Sequence, residues 1–325
     1  MQLIFVSGIN RSGTHLLISL LSGHGMLCAL DKEDEMVSGM ASGRADFERA
    51  LSARSLGKLY RALLTHTFLA SLKIICLRGY VEYSQNPDKF SSRIGVDFNI
   101  NIFERDLLIG LSNKNLVSLS VRNFSDILEV FYRTLAKNLG EADKPYIAAK
   151  PATGAQSFLD IAEELKDLRP KIIYIIRDPR AVACSSLKGE SDPLPCAQLW
   201  LTDYLAMQKM ANILDVHIVK YEDLCSQPKA EMKRICIYLG IPFEEILIKP
   251  TMRRETFSGN SSFESFGGSI SSSSIERWRS ILSPGQVKII ENAIGKALVE
   301  AGYIPTCRPG VKGRIKEVIR SFRTG

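Results

Sequence analysis

Residues 3–23 read LIFVSGINRSGTHLLISLLSG, and this stretch decides the fold. It opens on Leu3-Ile4-Phe5-Val6, an apolar run short enough for a buried strand. Ser7 to Gly13 follows as a loop, with Gly8 and Gly13 marking its ends. Leu16, Leu17, Leu20 and Leu21 then recur at helical spacing, and Gly23 stands where a helix C-cap belongs. Strand, glycine-bounded loop and helix form an anion cradle, because the loop's N–H groups and the helix N-terminus attract negative charge. The alternative is an ordinary turn. Against it, two glycines, Arg11, Ser12 and Thr14 all fall in register.

A nucleotide-triphosphatase loop reads G-x-x-x-x-G-K-[ST]. Gly8 and Gly13 keep that spacing, but Thr14 and His15 follow and the lysine is missing. The cation lies inside the loop instead, in Asn10-Arg11-Ser12-Gly13-Thr14. Arginine grips two anionic oxygens at once, where lysine acts as a point charge. The pattern is poorly suited to Mg-ATP and suits an anion handled without a metal.

A second unit, Lys171 to Leu187, reads KIIYIIRDPRAVACSSL. Ile172 to Ile176 is an unbroken apolar run, as a strand buried on both faces requires. Asp178 reads as a helix N-cap and Pro179 as the first helical position. Arg177 stands at the strand's end, and Ser185 lies about two turns into the helix, where it lines the same groove. A strand ending in Asp also resembles a Walker B element. Asp178 followed by Pro is better placed to cap the helix than to hold Mg, and Arg177 with Ser185 suits a second, separate phosphate.

The other elements are read from periodicity. Tyr146 to Ala149 is a strand closing in Lys150-Pro151, which points a lysine toward the common crevice; alone it would read as an exposed strand-end lysine. Val216 to Val219 is a further strand, followed by Lys220-Tyr221-Glu222-Asp223-Leu224. Leu56, Leu59, Tyr60, Leu63 and Leu64 give a helix, with His66 as a core histidine and a strand at Leu72 to Leu77. Phe124 to Leu139 is an amphipathic helix with Ser125 as its cap and Gly140 at its end. Leu199 to Leu214 and Pro228 to Leu239 are helices, the second closed by Gly240. One long helix runs from Ser283-Pro284 to Gly302. Arg253 to Ser274 is Ser- and Gly-rich and reads as a loop, with Phe257, Phe263 and Phe266 arguing against a pure spacer. Asp31-Lys32-Glu33-Asp34-Glu35 reads as an acidic turn. It is either a solvated loop or the source of a general base at the sheet's carboxyl edge.

The chain has 325 residues, 45% of them hydrophobic, ample for a sizeable core. We expect one α/β domain over residues 1–305, a mostly parallel sheet with helices on both faces. A basic tail over residues 306–325 would follow, with Arg308, Lys312, Arg314, Lys316, Arg320 and Arg323 against Glu317. That tail reads as solvated, with anionic lipid or an acidic partner as the alternative. The net charge of +7 fits an anionic cofactor, while basic runs with interleaved aromatics, the mark of a nucleic-acid binder, are missing outside the tail. Seven cysteines, at 28, 76, 184, 196, 225, 236 and 307, form no C-x-x-C pair and no zinc spacing. They read as buried thiols, with a Cys225–Cys236 disulfide or one at Cys307 left open. Met1 is followed almost at once by the first strand. The expected location is therefore cytoplasmic for a complete chain, and the Golgi lumen if an N-terminal anchor was trimmed.

Taken together, these motifs resemble the sulfotransferases, which move a sulfuryl group from 3′-phosphoadenosine-5′-phosphosulfate (PAPS). Arg11-Ser12-Gly13-Thr14 resembles that family's 5′-phosphosulfate loop. Ile175-Ile176-Arg177-Asp178-Pro179-Arg180 with Ser185 resembles its 3′-phosphate element. Tyr221-Glu222-Asp223-Leu224 is similar to its strand end near the adenine, and Arg277-Trp278-Arg279 through Gly302-Tyr303 to its closing loop and helix. The matches run in family order from residue 3 to about residue 303. The resemblance implies a P-loop-containing α/β fold, no metal, PAP as product, and PAPS contacts at Asn10, Arg11, Ser12, Gly13, Thr14, His15, Arg177, Ser185, Tyr221 and Arg277. Arg11 in place of Lys and Lys150-Pro151-Ala152 at a strand end are similar to the carbohydrate- and tyrosylprotein-type branches rather than the cytosolic phenol/steroid branch. Those branches imply a carboxylate base after the first helix, in a register open between Asp31, Glu33 and Asp34, and the carbohydrate-type branch implies a saccharide acceptor, which we expect here. Glu33, central in the run, is our choice, with Arg11 and Lys150 assisting catalysis. The alternatives are a protein-tyrosine or small-molecule sulfotransferase, a P-loop kinase, and a non-catalytic PAP- or anion-binding protein.

Overall fold

Apolar alternation along β1 (Gln2–Ser7) splits the core in two: Leu3 and Phe5 face one layer, and Ile4 and Val6 face the other. The same split recurs on β4 (Lys171–Ile176), with Ile172, Tyr174 and Ile176 on the first face and Ile173 and Ile175 on the second. A strand buried on both faces in this way belongs to a parallel sheet covered by helices. The computed structural model describes residues 1–67, 69, 98–112, 116, 118–151, 153–187, 192–252, 255–256 and 270–306, with backbone only at 31–34, 252 and 255–256. The expected strand at Leu72 to Leu77, most of the Ser/Gly-rich loop, and the tail beyond residue 306 lie outside the described residues.

Five strands form one sheet in the order β2-β3-β1-β4-β5, where β2 is Leu27–Asp34, β3 Tyr146–Pro151 and β5 Asp215–Lys220. Every pairing is parallel. From β1 the chain crosses outward to β2, and from β4 it crosses outward the other way to β5. The carboxyl ends of β1 and β4 therefore flank a topological switch point, where ligands of open α/β sheets bind. The first helix, Thr14–Leu21, and the helices Tyr221–Ser226 and Pro228–Leu239 cover one face. The other face holds the helices Phe124–Asn138, Pro179–Leu187, Leu194–Met210 and Pro284–Ile294.

Several expectations are corrected. The acidic run lies on β2 rather than in a turn, and Glu35 flanks the next helix, Met36–Ser42. Asn123, not Ser125, caps Phe124–Asn138, because its side chain accepts the Asp126 N–H, while Ser125 donates to the Glu164 carbonyl. The last long helix breaks at Gly295, whose φ of 59° opens a second segment, Lys296–Glu300. The Leu199–Leu214 helix runs earlier, over Leu194–Met210. Ser22 is the first helix's C-cap, and Gly23 matters for close packing: a Cβ there would press on Ile246. Cys225 and Cys236 are buried free thiols, so the disulfide between them is not formed.

His217 on β5 carries an acid-sensitive feature. Its Nε2 is buried without a partner, and its ring stacks on Tyr238 at 4.9 Å between centroids. Burial pushes its pKa down, ahead of the smaller influences of Glu231, Arg234 and Asp215. The unfolded chain thus binds this proton at a higher pH than the folded one, and stability falls as pH drops through the ordinary histidine range. His217→Phe keeps the stack and removes the titration. Urea unfolding at about pH 7 and about pH 5 is expected to show a smaller acid-side loss for the variant than for the parent chain.

Candidate functional site

The loop after β1 is built from left-handed backbone. Gly13 has φ 107°, and Arg11, a non-glycine, has φ 72°. A Cβ at Gly13 would collide with the Tyr221 ring, so glycine is required both for conformation and for approach. The turn is closed by the Ser12 N–H on the Ile9 carbonyl at 3.0 Å. Gly13 caps the helix without a side-chain acceptor, which leaves the first N–H groups open toward the crevice.

Arg177 leaves the end of β4 and ties three segments together. Its Nη1 donates to the Arg11 carbonyl and its Nη2 to the Ser274 carbonyl, each at 2.9 Å. Its guanidinium lies 4.2 Å over the Tyr221 ring. The Tyr221 hydroxyl, pushed up to about 12 mainly by burial, pairs with Ser274 Oγ at 2.7 Å. Arg177 is only 8% exposed, its Nε has no partner, and among the described residues no carboxylate pairs with it. Arg11 reaches across the crevice and donates Nε to Ser185 Oγ at 2.9 Å. Burial and then the Arg177 charge hold the Arg11 pKa below its ordinary value. Arg277 sits on the same side, with Nη2 3.3 Å from Ser273 Oγ, and the charges of both Arg177 and Arg277 act on Cys184.

Asp178 takes the capping role. Its Oδ1 accepts the Arg180 N–H at 2.9 Å, and its carboxylate receives the Arg180 guanidinium in a fork at 2.9 and 2.7 Å. Glu291 takes the other side of Arg180 at 2.7 Å. Asp178 is thus committed to the helix and to Arg180. Among the described residues no group of His, Cys, Asp or Glu is arranged to hold a metal.

Lys150 ends β3 only 1% exposed, not as a surface lysine. Glu33 stands opposite it in the β2–β3 register, so the two backbones are neighbours at the sheet's carboxyl edge. Asn10 is exposed at the loop tip, while Thr14 and His15 open the helix half-buried. The structure therefore gathers Arg11, Ser12, Gly13, Arg177, Ser185 and Tyr221 around one crevice, with Arg277 at its rim and Lys150 two strands from Arg177. Sequence reading missed Ser274 and Trp200. One serine within Ser271–Ser274 carries no distinguishing signal, and Trp200, whose Nε1 donates to the Arg177 carbonyl at 2.9 Å, reads as plain helix core.

The residues fit a doubly anionic nucleotide. Ser12 Oγ is buried with no partner, the helix N-terminus is uncapped, and Arg177 Nε is unpaired beside a second guanidinium. Each of these is a donor lacking an acceptor, and buried donors left so are costly.

Comparison with known proteins agrees. A family model described as "Sulfotransferase family" matches residues 126–245, and one described as "Sulfotransferase domain" matches residues 195–302. The chain belongs to the sulfotransferases and is a transferase enzyme of that family. The matched spans hold Arg177, Ser185, Tyr221 and Arg277. The fold is similar to the sulfotransferase domain from the curacin biosynthetic pathway, at 18% identity and a TM-score of 0.54 over 93% of this chain and 98% of that one. It is also similar to the sulfotransferase domain from the Synechococcus PCC 7002 olefin synthase, at 21% identity and a TM-score of 0.52 over 94% and 95%.

Two variants test whether Arg177 and Ser185 hold a separate phosphate. Ser185→Ala and Arg177→Ala are expected to weaken binding of PAP more than binding of its analogue without the 3′-phosphate. Charged hydrogen bonds are worth about 1.5–3 kcal/mol, and Arg177, as the charged donor, is expected to cost more than Ser185. Calorimetric titration with both nucleotides checks this, and equal weakening of the two would make the pair structural.

Proposed function

We propose that the chain transfers the sulfuryl group of PAPS to a hydroxyl acceptor by in-line displacement, and that the acceptor is a saccharide. The observation that carries the donor is the set of arginines at the switch point, Arg177 buried with no carboxylate partner among the described residues and Arg11 held close to it. Cations held this close repel one another until an anion lies between them. The family's donor, with phosphate at one end and phosphosulfate at the other, supplies two. Ser12, Thr14 and the open helix N-terminus would hold the 5′ end, and Arg177 and Ser185 the 3′-phosphate. Tyr221 supports this site from below, under Gly13 and Arg177. The saccharide rests on the resemblance of Arg11 and Lys150-Pro151 to the carbohydrate-type branch.

In this reading Glu33 takes the proton from the acceptor hydroxyl as its oxygen bonds to sulfur. The bond from sulfur to the bridging oxygen of the donor breaks, and negative charge grows on that oxygen. Arg11 and the loop N–H groups stabilise that charge by preorganised electrostatics, the term that dominates in such sites. Lys150, buried beside Glu33 in register, adds a cation on the acceptor side.

A thermal-shift series with PAP, ATP and ATP–Mg tests donor class. PAP at a hundredfold excess over its dissociation constant is expected to add about 2.7 kcal/mol of stability, while ATP–Mg adds little. Equal stabilisation by ATP–Mg that a chelator abolishes would favour a kinase. Glu33→Gln is then expected to lower turnover on the screened acceptor by about 10²–10⁴ and leave the PAP shift intact. Full activity in Glu33→Gln with loss in Asp31→Asn or Asp34→Asn moves the base along the strand, and PAP binding without transfer to any acceptor favours a binding protein.

A further inference from the structure

One peptide unit carries Arg177 into the crevice. The β4–β5 register ends at the Ile176–Lys220 pair and the next helix begins at Pro179, so the Arg177–Asp178 peptide lies between sheet and helix. Side chains from two other helices grip it. Its carbonyl accepts the Trp200 Nε1–H at 2.9 Å, from the helix Leu194–Met210. Its N–H donates to Glu222 Oε1 at 2.9 Å, from the helix Tyr221–Ser226. The other oxygen of Glu222 accepts the Tyr303 hydroxyl at 3.2 Å, which holds the carboxylate in place. The transfer chemistry above gives neither Glu222 nor Trp200 a task.

A peptide unit is planar. Held by its carbonyl on one edge and its N–H on the other, it cannot turn, and the Cα–Cβ bond of Arg177 keeps one direction. A small backbone rotation would be magnified at the far end of so long a side chain. There the guanidinium meets the Arg11 and Ser274 carbonyls and lies 4.2 Å over the Tyr221 ring. Tyr221 and Glu222 are consecutive, so one helix start supports both the ring-facing plane of Arg177 and its backbone. We propose that Trp200 and Glu222 are positioning residues for Arg177: they fix the peptide that aims its side chain, and so set the crevice's preference for a nucleotide carrying a 3′-phosphate. This assignment rests on the donor reading given above.

Titration calorimetry on the full chain tests it with three probes: PAP, adenosine 3′-monophosphate and adenosine 5′-monophosphate. Glu222→Ala and Glu222→Gln remove the same charge, but glutamine keeps an oxygen for the Asp178 N–H and offers its amide N–H to the Tyr303 oxygen. Glu222→Gln is expected to keep the parent chain's preference for the 3′-phosphate. Glu222→Ala is expected to bind PAP and adenosine 3′-monophosphate about threefold to tenfold more weakly than Glu222→Gln, as for one lost hydrogen bond. Adenosine 5′-monophosphate is expected to be unchanged, because the loop after β1 closes on itself through the Ser12 N–H and the Ile9 carbonyl. Trp200→Phe keeps a ring against Tyr204 and loses the indole N–H. It is expected to show the same selectivity, and it carries the test if Glu222→Ala does not fold. In an Arg177→Ala background, Glu222→Ala is expected to add nothing for the two 3′ probes, since it acts through Arg177. Equal weakening of all three probes, no weakening, full additivity with Arg177→Ala, or Glu222→Gln falling as far as Glu222→Ala would each overturn the proposal. A parent chain that binds none of the three nucleotides overturns the donor reading and the positioning role with it, whereas a parent that binds PAP and variants that match it overturn the positioning role alone.

Discussion

Arg177 is a cation held in the crevice between β1 and β4 with no carboxylate beside it among the described residues, and the site is arranged around that constraint. A buried guanidinium is tolerable only when its hydrogens find acceptors. Two of them find carbonyls, one from Arg11 and one from Ser274, and the Tyr221 face takes the plane of the ion. Each contact fixes another segment. The Arg11 carbonyl fixes the loop after β1, Ser274 fixes the turns that precede Trp278, and Trp200 holds the Arg177 carbonyl itself. Its Nε remains without a partner, next to the Arg11 charge.

The network beyond Arg177 is charged and fully paired, and this sets Arg180 apart from Arg177 within the Arg177-Asp178-Pro179-Arg180 run. Arg180 is locked between Asp178 and Glu291 and stacked 4.2 Å over Trp278. Glu222 accepts the Asp178 N–H at 2.9 Å and the Tyr303 hydroxyl at 3.2 Å, and burial pushes its carboxyl up. Through these contacts the last described helices and the segment that follows them are fastened to the turn that presents Arg177. Truncating one partner of such a buried pair is far more disruptive than the pair's net contribution, because the other charge is stranded.

Much of this was legible in the sequence, for reasons particular residues make plain. Parallel strands buried on both faces announce themselves as apolar runs, so β1 and β4 were read within a residue or two. The loop between them was read because left-handed backbone and close approach restrict Gly13 to glycine. Asp178-Pro179 was read as a cap because proline fits the first helical turn. Long-range partnerships were not legible. Nothing local marks Ser274 as the serine that faces Arg177, or Asp203 as the acid that faces Tyr174, since these contacts join residues 97 and 29 positions apart. The acidic run looked like a turn because charge suggests solvent, whereas the pairing of β2 with β3 carries Glu33 to the register of Lys150. The break at Gly295 was hidden by apolar periodicity that continues through it.

The account's central claim is that one crevice takes a nucleotide by both its ends, and a crystal structure of the chain with PAP tests it most directly. The expected result places the 3′-phosphate within hydrogen-bond distance of Arg177 and Ser185, and the 5′-phosphate on Ser12 Oγ and the open N–H groups at Thr14, without a metal ion between. PAP bound in the reverse sense, or seated away from the β1–β4 switch point while Ser12 and Arg177 Nε stay unpaired, would contradict it.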